Sequence, residues 1–305
     1  MSRAWFVGYG LLTLLGAGCG DTGTDSVSAE TTRGLLVQTQ YGPVSGLEAD
    51  GVYSYRAIPY AAPPVEELRW SPPVEPQAWS EVLEATSRPN GCMQESFQGL
   101  PIPGFVTSED CLYLNVDTPQ TGADLPVMVW LHGGGFTLGE ATQADGGTAG
   151  DLIARETNTV VVSMNYRLGP FGFLAHSALS QESAEGASGN YGLMDQTAAL
   201  RWVQENIEAF GGDPTNVTLF GESAGAFSVC SHMASAHSAG LFHKAIMQSG
   251  SCERPWLGLE QAQAQGDVFA EALGCEGSSS ETLRCLREAA ADDVLAALPP
   301  APNFG

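Results

Sequence analysis

Positive charge is what this sequence has least of. Lysine occurs once, at Lys244, and Lys and Arg together number 12 against 35 Asp and Glu, a formal net charge of −23 over 305 residues. A surface of that sign repels phosphate backbones and anionic lipid headgroups, which excludes a nucleic-acid partner. The acidity reads as solubility; steering of cationic substrates needs a clustered field that composition does not show. Also absent is any C-x-x-C pair or His/Cys spacing suited to zinc, so no metal or other cofactor is expected. The apolar stretch at the start, Trp5 through Leu15, is too short for a spanning helix.

That start reads as a processing segment. Met1-Ser2-Arg3 is a short basic opening, and Gly16-Ala17-Gly18-Cys19 offers a small-residue cleavage site after the apolar stretch. Residues 1–18 resemble a bacterial lipoprotein signal with Cys19 as the lipidated first residue, departing from it at Gly16, where Leu is usual. Plain secretion and a chance apolar start are the alternatives. Residues 19–34, rich in Thr, Ser, Asp and Gly, then form a flexible tether. A lipid on Cys19 would be the only membrane attachment, and the expected location is the bacterial cell envelope (outer membrane or cell surface), or else secreted or periplasmic. Six further cysteines stand at 92, 111, 230, 252, 275 and 285, an even count that in an exported chain suggests disulfides. Cys92–Cys111 and Cys275–Cys285 would each close a short loop, worth about 2–3 kcal/mol. Cys230 and Cys252 are a third pair or two buried thiols.

Strands are expected at 35–39, 52–55 and 112–116, with Ile58-Pro59-Tyr60-Ala61-Ala62-Pro63-Pro64 as an ordered loop and 93–110 as a loop pinched at its base. Pro126-Val127-Met128-Val129-Trp130-Leu131 is a near-continuous apolar run, the pattern of a strand buried on both faces. It ends in His132-Gly133-Gly134-Gly135-Phe136, where three glycines can bring bare N–H groups close to a bound atom. A second buried strand spans 159–164, and 167–174 is read as a loop carrying Phe171 and Phe173. A helix at 191–210 stops at Gly211-Gly212. Asn216-Val217-Thr218-Leu219-Phe220-Gly221-Glu222-Ser223-Ala224-Gly225 then reads as strand, tight turn and helix start, the G-x-S-x-G arrangement that presents a serine hydroxyl beyond a sheet edge. A helix to about 234, a strand at 245–248 and helices at 261–273, 281–286 and 292–298 complete the pattern. Apolar strands alternating with helices indicate an α/β chain, a mostly parallel central sheet with helices on both faces. The glycine run and Ser223 both fall at carboxyl ends of strands, where such sheets bind ligands.

The ordered series closely resembles the type-B carboxylesterase family, which contains the cholinesterases. It comprises Ile58-Pro59-Tyr60-Ala61, Glu109-Asp110-Cys111-Leu112-Tyr113-Leu114-Asn115-Val116, His132-Gly133-Gly134-Gly135-Phe136, Asn165-Tyr166-Arg167, Asn190-Tyr191-Gly192-Leu193-Met194-Asp195-Gln196, Phe210-Gly211-Gly212-Asp213-Pro214 and Phe220-Gly221-Glu222-Ser223-Ala224-Gly225. The resemblance implies an α/β-hydrolase fold over 35–305, the C-terminal part of that fold being absent, and hydrolysis of small-molecule carboxylic esters. It implies Ser223 as nucleophile, Gly134, Gly135 and Ala224 as oxyanion-hole donors, and Glu222 as the acidic neighbour tuning the site's field. It also supports the pairs Cys92–Cys111 and Cys275–Cys285, and makes His132 a support for the glycine loop. Cholinesterases carry a tryptophan between the first two cysteines; residues 93–110 hold only Phe97 and Phe105 as aromatics, which argues for a neutral or aromatic ester over choline esters.

The triad on this fold runs Ser, then Asp or Glu, then His in chain order. After Ser223 come His232, His237 and His243 with no acid before them, and no histidine follows Glu253. His232 lies about 13 Å along a helix from Ser223, His237 farther, and His243 at the opposite end of its strand. All three are expected to be structural or surface residues. The chain is therefore expected to be the N-terminal portion of an esterase, inactive by itself, and poorly folded because an apolar sheet edge is left open. Phe171, Phe173 and Phe304 are pocket-lining or core candidates. The alternative function is a non-catalytic cholinesterase-like binding or adhesion protein, or an inactive fragment.

Overall fold

In a computed structural model, residues 34–95, 106–142, 150–253 and 256–297 are described. The signal and tether at 1–33, Cys19, most of the 93–110 loop and Phe304 lie outside them. The described chain is built on one seven-stranded sheet: β1 (Leu47–Ala49), β2 (Val52–Pro59), β3 (Tyr113–Pro119), β4 (Leu125–Leu131), β5 (Val160–Met164), β6 (Gly212–Glu222) and β7 (Lys244–Gln248). The spatial order is β7-β6-β4-β5-β3-β2-β1. Strands β7, β6, β4 and β5 pair in parallel, whereas β3 is antiparallel to β5 and β2, and β1 to β2. The sheet is thus mixed, with the parallel block on the side that carries both motifs.

Local chemistry explains the elements. Strand β5, Val160-Val161-Val162-Ser163-Met164, lies inside the sheet between parallel β4 and antiparallel β3 and is buried throughout, a place that suits its β-branched residues. Strand β4 is less enclosed than its composition suggests: Val127, Val129 and Leu131 are buried, but Met128 and Trp130 are half-buried, Trp130 packing on Phe220 at 4.8 Å. Two strands away the parallel block ends at β7, where Ala245 and Ile246 are exposed. This open edge is five residues long, and Lys244 at its start blunts it against pairing. It is a narrower opening than the long apolar edge expected.

Two other expectations change. Ile58 and Pro59 belong to β2, beyond a register shift after Tyr55. Proline is tolerated there because β1 pairs only with Val52–Ser54, so that end of β2 has one neighbouring strand. The segment Gly169–Phe173 is helical (α2, following α1 at Gly150–Thr157), opened by Pro170 near its first position.

Helices α3 (Ser177–Glu182), α4 (Tyr191–Asn206) and α5 (Ala224–Ala234) precede α6 (Leu259–Ala272), α7 (Ser279–Glu288) and α8 (Ala291–Ala296). Leu200, Trp202 and Val203 of α4 enter the main core with Val129, Val162 and Leu219, each such side chain worth about 1.5–3 kcal/mol of transfer free energy. A second core joins Trp70, Phe171 and Tyr191 to Phe269, Leu286 and Val294 of the last three helices. Arg69 locks this layer: it pairs with both Glu109 oxygens (2.7 and 2.5 Å) and donates to the carbonyls of Leu286 and Ala289. The six described cysteines are all paired, as Cys92–Cys111, Cys230–Cys252 and Cys275–Cys285.

Candidate active site

The register between β4 and β6 brings the two motifs together. Gly221 stands beside Leu131, so the residues that leave β4 as His132-Gly133 run alongside Glu222-Ser223 leaving β6. A Cβ on Gly133 would lie 2.7 Å from Glu222 Oε2 and 3.3 Å from Ser223 Cβ; only glycine lets the loop come this close.

Ser223 sits between β6 and α5 with φ 52° and ψ −116°, a left-handed conformation that costs a non-glycine residue about 1–3 kcal/mol. The surroundings enforce it. Its N–H donates to Gln248 O at 2.9 Å, and its carbonyl accepts from Phe227 N at 3.1 Å. Helix α5 starts directly against the end of β4: a Cβ on Gly225 would collide with Leu131 O. Ala224 opens that helix, where N–H groups have no acceptor within the helix.

The glycine loop is held from several sides. Thr137 and Leu138 N–H groups both donate to Gly134 O (3.1 and 3.0 Å), and Gly134 has φ +107°. Gly139 N donates to Gln94 Oε1 and Gln94 Nε2 to Gly139 O, both at 2.8 Å. Asn165 Oδ1 accepts from Ala141 N at 2.6 Å, while Asn165 Nδ2 donates to Asn90 O at 2.8 Å. Tyr166 OH donates to His132 O at 2.7 Å and its ring stacks on the imidazole at 4.2 Å. Gly134 and Gly135 are exposed, and neither N–H donates a hydrogen bond to a described residue.

His132 is the loop support expected. Its Nδ1 lies 2.8 Å from Gly133 O, which requires Nδ1–H, and Nε2 is buried without a partner among the described residues. Burial lowers its pKa to about 4, so the ring is neutral. His232 is also buried, between Gln196 Oε1 and Ser238 Oγ at 2.8 Å each, and burial lowers its pKa to about 4. His243 Nδ1 accepts from Val217 N at the far end of β6, His237 is exposed beside Glu185, and His176 caps α3 through Ala178 N. None of the five is hydrogen-bonded to Ser223, whose hydroxyl makes no hydrogen bond to a described residue.

The supports Gln94, Asn165 and Tyr166 were not assigned roles from sequence, nor was the buried pair Arg167–Asp195 (2.8 and 2.7 Å), which fixes the segment after β5 to α4. Their only signal was position: polar residues inside motifs that end apolar strands. Phe171 is core, stacked on Trp70 at 6.4 Å, whereas Phe173 is half-buried and meets Phe136 of the glycine loop at 5.0 Å. Phe136 also meets Trp256 at 6.1 Å.

A strained serine between a parallel strand and a helix, beside a glycine loop from the next strand, defines the α/β-hydrolase class. The chain belongs to the carboxylesterase family, whose profile matches residues 33–303. It is 44% identical over 269 residues to the para-nitrobenzyl esterase of Bacillus subtilis (strain 168), covering 86% of this chain and 52% of that protein. It is 39% identical over 295 residues to the acetylcholinesterase of Leptinotarsa decemlineata, covering 88% and 46%. The solved structure of a thermophilic PNB esterase superposes with a TM-score of 0.77 at 44% identity, covering 88% of this chain and 53% of that one. The chain spans about half the length of the relatives it matches.

Proposed function

We propose that this chain carries the nucleophile and oxyanion hole of a serine carboxylic ester hydrolase. The observation that carries the reading is Ser223 in its strained turn, set beside a loop in which the Gly134 and Gly135 N–H groups donate to no described residue. In this reading Ser223 Oγ attacks the ester carbonyl. The N–H groups of Gly134, Gly135 and Ala224 receive the oxyanion, and Glu222 tunes the local field. Collapse of the tetrahedral intermediate expels the alcohol, and water then hydrolyses the acyl-enzyme. Each oxyanion donor is worth about 3–4 kcal/mol of transition-state stabilisation.

The step this chain does not provide is removal of the Ser223 proton, since none of its five histidines is hydrogen-bonded to Ser223. The acid and histidine are to come from sequence beyond these residues, in keeping with relatives of about twice the length. Residues 1–305 alone turn over esters only in trace amounts. Phe136, Phe173 and the exposed Trp256 offer an apolar wall, which suits a neutral or aromatic ester. The three disulfides fit an exported protein, and no described helix is long and apolar enough to cross a membrane. We place the protein in the cell envelope, lipidated at Cys19.

The missing proton acceptor favours a second reading, a non-catalytic binding protein. A fluorophosphonate probe with peptide mapping, alongside hydrolysis of p-nitrophenyl esters, separates the two. Labelling at Ser223, lost in Ser223→Ala, with trace turnover supports the first; labelling elsewhere with Ser223 unmodified supports the second. Rapid hydrolysis that survives Ser223→Ala overturns the role of Ser223 altogether.

A further inference from the structure

Among the described residues, the edge strand β7 is held on one side only, by β6, and four of its five residues are exposed. Such strands fray at low free-energy cost. Yet the carbonyl at its last residue, Gln248, is the acceptor for the Ser223 amide. The strained turn therefore leans on an edge strand of the sheet. Immediately beyond β7 the chain folds back over α5: a Cβ on Gly250 would lie 2.6 Å from Ala226 Cβ and 3.3 Å from Ser223 O. Two residues later Cys252 is bonded to Cys230, on α5 and seven residues beyond Ser223, with 5.6 Å between the Cα atoms.

We propose that the Cys230–Cys252 bridge is a positioning pair for Ser223. It clamps the end of β7 to α5, keeps Gln248 O on the Ser223 N–H, and so holds the serine in its left-handed conformation. The clamp stands independently of the esterase reading; its bearing on catalysis rests on that reading. Cys252 is exposed, so a small dithiol reaches it. One thiolate of the dithiol attacks Cys252 Sγ and displaces the Cys230 thiolate. The second thiol then closes on the first, leaving a cyclic disulfide and two protein thiols, with two electrons passed to the cysteine pair.

The test is hydrogen–deuterium exchange with mass spectrometry on residues 1–305. It compares the oxidised protein, the dithiol-treated protein, Cys230→Ser/Cys252→Ser, and Cys275→Ser/Cys285→Ser as a control. Loss of the clamp is expected to speed exchange at the Ser223 and Phe227 amides about tenfold, the effect of losing roughly one hydrogen bond, with α4 and β5 unchanged. The control variant should leave those amides as they were, and reoxidation of the reduced protein should restore them. Unchanged Ser223 exchange overturns the proposal, as does a uniform rise across α4 and β5, which marks a general stability role. Two free thiols at 230 and 252 in the native protein overturn it too. Exchange does not require Ser223 to react, so the outcome is readable even if the esterase reading fails.

Discussion

Gln94 and Gly139 exchange two hydrogen bonds, side-chain amide to backbone carbonyl and backbone amide to side-chain oxygen, each 2.8 Å. Gln94 follows Cys92 by two residues, so the Cys92–Cys111 bridge anchors the far end of the glycine loop. Gln94→Ala should destabilise the fold by about 1–3 kcal/mol, the cost of leaving the Gly139 groups unsatisfied. Urea denaturation gives the magnitude, and exchange at the Gly139 amide gives its location.

The tight contact of α5 on β4 makes Gly225 intolerant of a side chain. Gly225→Ala places a methyl against Leu131 O, and overpacking of this kind costs about 1–3 kcal/mol. Thermal unfolding should fall accordingly, with Ser231→Ala, farther along the same helix, as a mild comparison.

Arg167 and Asp195 are buried and bonded through both carboxylate oxygens. Asp195→Ala leaves a guanidinium without its counter-charge in the core, a loss of about 3–5 kcal/mol. A variant that kept its urea midpoint would contradict the assignment.

Burial lowers the pKa of both His132 and His232 from 6.5 to about 4. Between those values the unfolded chain binds protons that the folded chain does not, so stability rises with pH across the window. The contribution is fully present above 6.5 and lost as pH falls towards 4, about 3 kcal/mol for each histidine. Urea titrations through that window should show the slope, and His232→Gln should flatten part of it.

Lipidation at Cys19 predicts incorporation of radiolabelled palmitate by expressing bacteria and partition into detergent. Cys19→Ala should abolish both; label retained in that variant would refute the anchor.

Much of the site was legible because its signals are local. The strand–turn–helix pattern around Ser223 and the apolar run ending in three glycines are each complete within about ten residues, and their backbone demands fall on the glycines. The order of acids and histidines after Ser223 is also a one-dimensional fact, and the structure adds that the five histidines have other partners or places. The helix at Gly169–Phe173 was hidden by its two glycines and a proline, residues that usually mark a loop. Pro59 was misread for a similar reason: whether a proline suits a strand depends on how many neighbours that strand has, and the neighbours come from elsewhere in the chain.

The sequence by itself determined the family, the identity of the strained serine, and the want of a histidine in the order its chemistry needs. Only the tertiary structure decided that Gly221 stands beside Leu131, which sets the glycine loop against the serine. It alone decided that Cys230 pairs with Cys252 and that Ser223 leans on the end of an edge strand. The physical reason is that strand register and cysteine pairing are relations between distant segments. They are settled by which surfaces pack together, and no stretch of neighbouring residues contains that information.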